Sequence, residues 1–347
     1  MNASTPPAAA FDRAYGVLVG LAVGDAMGMP TQYLSREVVR ARYGVLTGFE
    51  PGPPDNEISA GLPAGRVTDD TDQAVIIGRL LVEGGGRVDP QLLAERLLAW
   101  QERMSASGSL DLLGPSTLKA LERFEGGSAT DRSGRWGDTN GAAMRIAPVG
   151  IATAADDLAA LVDAVEAVSF VTHNTGIAIA GAAAIAAAVS SGIDGNSLSA
   201  SLNRAVVAAQ MGARRGFYVA GADVAARIRW ALSLVAGAAP EDVADTVSTL
   251  IGTGVATQEA VPAALAMASV FSEDPWEVCR RAASLGGDCD TIAAMAGAVV
   301  GAHVGASAFP AEVIARLLEA NPDLGLDSLT KALTRLRMTT TSDEKPG

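Results

Sequence analysis

Histidine, cysteine and aromatic side chains are scarce in this chain of 347 residues, and each scarcity removes a class of function. Two histidines, His173 and His303, leave little for histidine-centred catalysis, and together with two cysteines they nearly exclude a Cys/His zinc site. Cys279 and Cys289 are too few for a disulfide framework and point to the reducing cytoplasm as the expected compartment. Aromatics supply 4% of the residues against 49% for all hydrophobic types, because alanine and glycine carry much of the apolar count. The expected core is therefore many closely packed helices. A basic surplus is missing as well: the formal net charge is −13. That speaks against nonspecific nucleic-acid binding, which needs a basic surface to displace counterions, and against docking on anionic membranes. Mean hydropathy of +0.25 raises the question of a membrane span. The most apolar run, 176–193, is mostly Ala and Gly with little lipid-facing bulk, so it reads as a buried helix. The segment 1–10 has neither a basic start nor a hydrophobic stretch, and no secretory signal is expected.

What the chain does contain is helical periodicity, almost throughout. No repeat of fixed period and no long charged linker divides it. A first helix is predicted over 11–27, with Tyr15, Leu18, Val19 and Ala22 on one face. The stretch 50–65 holds four prolines and several glycines and reads as a loop. Ala74, Ile77 and Leu81 then form a stripe that ends at Gly84-Gly85-Gly86. Further helices are predicted at 90–102, 110–124, 156–168, 176–190, 197–211, 222–234, 241–250, 257–271, 276–283, 291–304 and 311–319. Strand-like alternation is scarce. The expectation is an all-α protein, a single compact multi-helix domain over 11–336, with residues 1–10 and 337–347 as disordered tails.

Two acidic clusters stand out, Thr68-Asp69-Asp70-Thr71-Asp72 and Asp288-Cys289-Asp290-Thr291. Each follows a glycine-containing loop and opens an apolar helical run. Dense hard oxygen donors suit Mg²⁺, Mn²⁺ or Ca²⁺ better than zinc or copper. Adjacent helical residues point about 100° apart, so Asp69 and Asp70 converge only if the first leaves the helical path at a loop–helix junction. The same holds for Asp288 ahead of Asp290 and Thr291. Alternatively, neighbouring aspartates each bind a different ion of a two-metal site. Either cluster alone reads more simply as a helix cap, since Asp and Thr are preferred there and the dipole favours carboxylates. Two matched clusters, each with more carboxylates than a cap needs, turn the preference toward a metal. Asp72 is the expected spare, facing solvent.

These clusters complete an ordered series: Gly20-Leu-Ala-Val-Gly-Asp25-Ala26-Met27-Gly28, Thr68-Asp69-Asp70-Thr71, Asp111-Leu-Leu-Gly114, Asn140-Gly141-Ala-Ala-Met144-Arg145, Thr172-His173, and Gly286-Gly287-Asp288-Cys289-Asp290-Thr291. In these six segments, spread over 14–304, the chain resembles the ADP-ribosylglycohydrolases. The resemblance implies an all-helical fold and two divalent cations, Mg²⁺ or Mn²⁺, held by Thr68, Asp69, Asp70, Asp288, Asp290 and Thr291. It implies hydrolysis of the bond between ADP-ribose and a protein side chain or small acceptor. That bond breaks through an oxocarbenium-like state, which metals holding the ribose hydroxyls and a carboxylate taking a proton would assist.

Many relatives place glutamate where Gln32 stands, and a glutamine cannot act as a general base near neutral pH. Asp111 matches an aspartate that other relatives use near the reacting sugar, so the resemblance implies the base role there, with Asp70 also expected to be catalytic; a helix cap before Leu112 is the competing reading of Asp111. Gln32, Asn140, Gly141, Met144 and His173 are the expected substrate contacts, with a capping or structural role open for His173. Arg145 is read as pairing with a phosphate or an internal carboxylate. His303 reads as a satisfied helix histidine, Cys289 as a bystander, and Trp136 as a core residue or, less simply, a base-stacking one. Two alternatives stay open: a glycohydrolase of a smaller nucleoside or nucleotide, and a non-catalytic ADP-ribose binder or structural relative.

Overall fold

Four glycines spaced four residues apart on the first helix (Ala8–Gly28) decide how the two ends of the chain meet. Residues at that spacing share one helix face. A Cβ at Gly16 would lie 2.4 Å from the Gly301 carbonyl oxygen, at Gly20 2.1 Å from that of Gly297, and at Gly24 2.1 Å from that of Ala293. At Gly28 it would lie 2.2 Å from the Cα of Asp290. As one index rises the other falls, so the Cys289–Val304 helix runs antiparallel to the first, backbone against backbone. The carboxyl end of the first helix is thereby pressed against the amino end of the second, where the second acidic cluster sits.

The computed structural model describes residues 8–109 and 113–343, with side chains as far as Thr339. Within them the protein is all-α, 68% helical, without strands and folded as one compact domain. Isolated bridges pair Thr139 with Ala256 and Thr175 with Phe217. The Gly176–Ile193 helix is long and apolar enough to cross a membrane, yet 94% of it is buried inside the protein. Eight of its residues are alanine, and small side chains let neighbouring helices approach it from several sides.

Most predicted helices are present with ends shifted by a few residues, while the short helices Thr130–Ser133, Gly141–Met144 and Ala147–Ala152 were not expected. The helix predicted from residue 110 begins at Pro115, where proline at the first helical position needs no N–H partner. Arg36–Arg42 is a helix that the reading missed; Ser35 caps it through the Val38 N–H. The first helix starts at Ala8, inside the segment expected to be a disordered tail. The last helix, Leu326–Asp343, crosses the boundary expected at 337. Leu329 and Leu333 bury its inner face, and Arg337 reaches the Thr153 carbonyl at 2.6 Å and Asp194 at 2.6 Å.

Candidate functional site

Asp25 is fully buried near the end of the first helix and receives the start of the Asp69–Glu83 helix. The Thr68 N–H donates to it at 3.0 Å, the Thr68 hydroxyl at 2.7 Å, and the Thr71 N–H at 3.1 Å; the Thr71 hydroxyl donates too. Thr68, the N-cap residue, makes no capping bond of its own. A carboxylate from another helix thus satisfies the third amide of the helix. Asp69 and Asp70 are left free of that duty. Asp72 is not a solvent-facing spare: Trp100 donates to it at 2.9 Å and Arg66 lies 3.5 Å away.

The second cluster is set by backbone. Gly286 and Gly287 have φ of 78° and 72°, the left-handed region glycine tolerates. A Cβ at Gly287 would strike the Thr253 carbonyl oxygen at 2.4 Å. The Tyr33 N–H donates to Gly287 O at 2.7 Å, the Gly287 N–H to Leu34 O at 2.8 Å, and the Asp288 N–H to Thr253 O at 2.7 Å. Asn140 donates its side-chain amide to Asp288. The two clusters touch where the Thr291 hydroxyl donates to Asp70 at 3.2 Å.

All six residues expected to hold metal are therefore gathered in one place. Thr68, Asp70, Asp288, Asp290 and Thr291 are buried and Asp69 is half-buried. Burial pushes Asp25 and Asp288 up to about 6. Burial, followed by the neighbouring Asp25 and Asp288, raises Asp69 to about 8. Asp70 and Asp290 stand well above the usual carboxylate range for the same two reasons. One oxygen each of Asp70 and Asp290 is buried with no hydrogen-bond partner. Among the described residues no three acidic, histidine or cysteine groups already stand at metal-binding spacing, so this is a gathering of donors rather than a closed cage. Crowded hard oxygens with orphaned lone pairs fit a divalent cation, which would relieve both the repulsion and the missing bonds.

A cavity of about 200 Å³ opens beside the clusters. Gln32, Asn140, Gly141 and Met144, four of the expected substrate contacts, line it with Asp69, Asp288, Asp290 and Thr291. Asp70, expected as a base as well as a ligand, lies beneath this lining. His173 is a correction: it is fully buried behind Gly141, with Thr172 and Thr139 on its two ring nitrogens. A Cβ on Gly141 would come within 2.7 Å of its ring. Asp111 lies outside the described residues, although Leu113, Gly114 and Pro115 just after it line the cavity.

Arg145 and Trp136 also depart from expectation. Arg145 is fully buried and forms no ion pair with a carboxylate among the described residues; its partners are Gln73 at 2.6 Å and the Thr172 hydroxyl. Trp136 is 55% exposed, with Arg135 stacked 4.5 Å from its ring, and is not a core residue. His303 is satisfied by Val299 O and Ser201, and Cys289 is buried against Thr31. The sequence reading assigned no site role to Asp25, Gln73, Thr139 or Tyr33. A lone carboxylate amid Gly and Ala in an apolar helix was the available signal for Asp25; the others gave none. Tyr33 is the one described non-glycine residue with positive φ, 59°, and it stands half-exposed on the cavity rim.

An all-helical domain with two facing acidic clusters beside a small cavity matches a known family of hydrolases. The chain belongs to the ADP-ribosylglycohydrolase family, whose model matches residues 6–343, and members act on glycosyl bonds of ADP-ribose conjugates. It is 36% identical over 327 residues to YegU of Escherichia coli K12, an uncharacterized protein, covering 94% of this chain and 97% of that one. It is 31% identical over 143 residues to the ADP-ribosyl-[dinitrogen reductase] glycohydrolase of Rhodospirillum rubrum, 41% of this chain and 45% of the relative. A solved structure of an ADP-ribosylglycohydrolase-related protein complex aligns with a TM-score of 0.64 at 26% identity, over 94% of this chain and 98% of that one.

Proposed function

We propose that this protein is a divalent-cation-dependent hydrolase that releases ADP-ribose from a modified protein side chain or a small conjugate. The observation that carries the reading is the convergence of Thr68, Asp69, Asp70, Asp288, Asp290 and Thr291, with two orphaned carboxylate oxygens, beside a cavity. These residues would hold Mg²⁺ or Mn²⁺. The ions, once bound, supply positive charge at the ribose hydroxyls and lower the pKa of bound water. The chain's own residues do the rest. Asn140 orients Asp288, Gln73 orients Asp69 at 2.7 Å, and Asp25 fixes the helix start that presents Asp69 and Asp70. Gln32 offers a buried side-chain N–H without a partner, a donor for the bound conjugate. Asp111 takes the role of proton acceptor, on the strength of the cavity-lining segment that follows it. The two buried free thiols accord with a cytoplasmic protein.

A second reading, a smaller nucleoside or nucleotide as substrate, draws support from cavity size: about 200 Å³ is below the ~300–1,000 Å³ usual for small-molecule sites. One assay separates them. Peptides ADP-ribosylated on arginine or serine and simple nucleosides are offered to the protein with Mg²⁺ or Mn²⁺, with and without EDTA. The expected result is turnover of an ADP-ribose conjugate that EDTA abolishes, with a loss of about 100-fold or more in Asp69→Asn and Asp290→Asn. Wild-type rates in both variants would remove the metal assignment. Cleavage of nucleosides alone would remove the ADP-ribose one.

A further inference from the structure

We infer that Thr139 is a substrate-positioning residue whose hydroxyl donates to an oxygen of the sugar or phosphate held in the cavity, in a direction set by a buried chain that starts at Arg145. The inference rests on the reading that this cavity receives an ADP-ribose-type ligand.

The direction of the bonds follows from two facts: a guanidinium has donors and no acceptor, and His173 Nδ1 is the one acceptor that the buried Thr172 hydroxyl meets among the described residues. Arg145 is completely buried. One of its arms donates to the Gln73 side-chain oxygen at 2.6 Å, which turns the Gln73 N–H toward Asp69 at 2.7 Å. The other arm donates to the Thr172 hydroxyl. With no other acceptor in reach among the described residues, Thr172 gives its own hydrogen to His173 Nδ1, 2.8 Å away. The imidazole then carries its proton on Nε2 and donates to Thr139 Oγ1 at 3.1 Å. Burial and the nearby Arg145 charge hold His173 well below its usual pKa, in keeping with a single ring proton. The remaining hydrogen of Thr139 points away from the ring, and among the described residues it has no acceptor. Thr139 lines the cavity.

Donors are scarce on that wall. Asp69, Asp288 and Asp290 can only accept when ionised, and one of the two Asn140 N–H donors is engaged with Asp288, so Gln32, the second Asn140 hydrogen and Thr139 remain as side-chain donors on this wall. A ribose hydroxyl can donate to a carboxylate while accepting from Thr139, so the chain adds, beside Gln32, a donor of fixed direction that the acids cannot supply. Arg145 thus orients both sides of the site: Asp69 through Gln73, and Thr139 through His173.

Two measurements on the full-length protein test this. Thr139→Val keeps the shape and removes the hydroxyl. With Mg²⁺ present, ADP-ribose binding by calorimetry and the KM for a conjugate should weaken about tenfold. The kcat should change less, the thermal midpoint should fall because the buried His173 Nε2–H loses its acceptor, and Thr139→Ser should restore both binding and midpoint. Nitrogen-15 NMR of the two histidines should show His173 as the Nε2–H tautomer and neutral through pH 6. Wild-type affinity in Thr139→Val overturns the ligand contact, and an Nδ1–H tautomer overturns the chain that orients it. If the wild-type protein itself fails to bind ADP-ribose, the proposed function falls and the ligand contact with it, while the tautomer still decides the chain.

Discussion

The two acidic clusters look alike in sequence and are held in place by different means. Thr68–Asp72 stands on other side chains: Asp25 gathers the threonines and their amides, and Gln73 and Arg145 brace Asp69 from below. Asp288–Thr291 stands on backbone: the left-handed pair Gly286-Gly287, the Thr253 carbonyl, and the bare contact of Gly28 with Asp290. The first arrangement depends on buried polar groups that a conservative substitution can remove. The second depends on the absence of a Cβ, which any substitution violates. A shared local motif therefore does not mean a shared sensitivity to change.

The largest effect is expected at the point that joins the two. Gly28→Ala would set a methyl 2.2 Å from the Asp290 Cα, backbone that cannot rotate away. A loss of about 3 kcal/mol or more is expected by chemical denaturation, with activity lost in whatever remains folded. A wild-type midpoint would mean that the helix pair is looser than its contacts imply. Asp25→Asn strikes the first cluster only. Replacing one accepting oxygen by an amide leaves donors facing donors and should cost about 2 kcal/mol and lower activity, while Asp288 keeps its Asn140 bond. Unchanged stability and activity would show that the first cluster does not rest on Asp25.

The smallest effect is on pH dependence, with the cations removed by EDTA. Asp69 sits at about 8 in the folded protein against an ordinary 3.8, and Asp25 and Asp288 at about 6. The folded state holds protons that the unfolded chain has released, so this contribution is full below about pH 4 and is lost as pH rises toward 8. The thermal midpoint of the chelated protein should fall between about pH 5 and 8, and Mn²⁺ should flatten the slope. A midpoint that rises over this range would contradict the crowding of the carboxylates.

Much of the fold was legible because apolar spacing reports helices directly. The 176–193 run announced a core helix by its alanines, and the stripe Ala74, Ile77, Leu81 announced the helix behind the first cluster. The final helix was missed because Lys331 and Arg335 make its outer face as polar as a tail and Arg337 places a charge even on the buried side, which Leu326, Leu329 and Leu333 mark. The cavity-lining residues Gln32, Asn140, Gly141 and Met144 were found through family motifs. His173 was misread from the same source, since a motif says that a residue belongs to a site and not on which side of its wall it stands. Thr139 and Gln73 were invisible, because a hydrogen-bond chain among residues distant in sequence leaves no periodic trace.

By itself the sequence determined the helical class, the chemistry of the two clusters and the family to which they belong. Those follow from local spacing and side-chain type, which need no knowledge of distant neighbours. Tertiary structure alone decided that Asp25 would relieve Thr68 of capping, that Asp72 would turn to Trp100, and that His173 would stand behind Gly141. Each depends on which distant group comes within about 3 Å, and close packing of glycine-faced helices sets that distance.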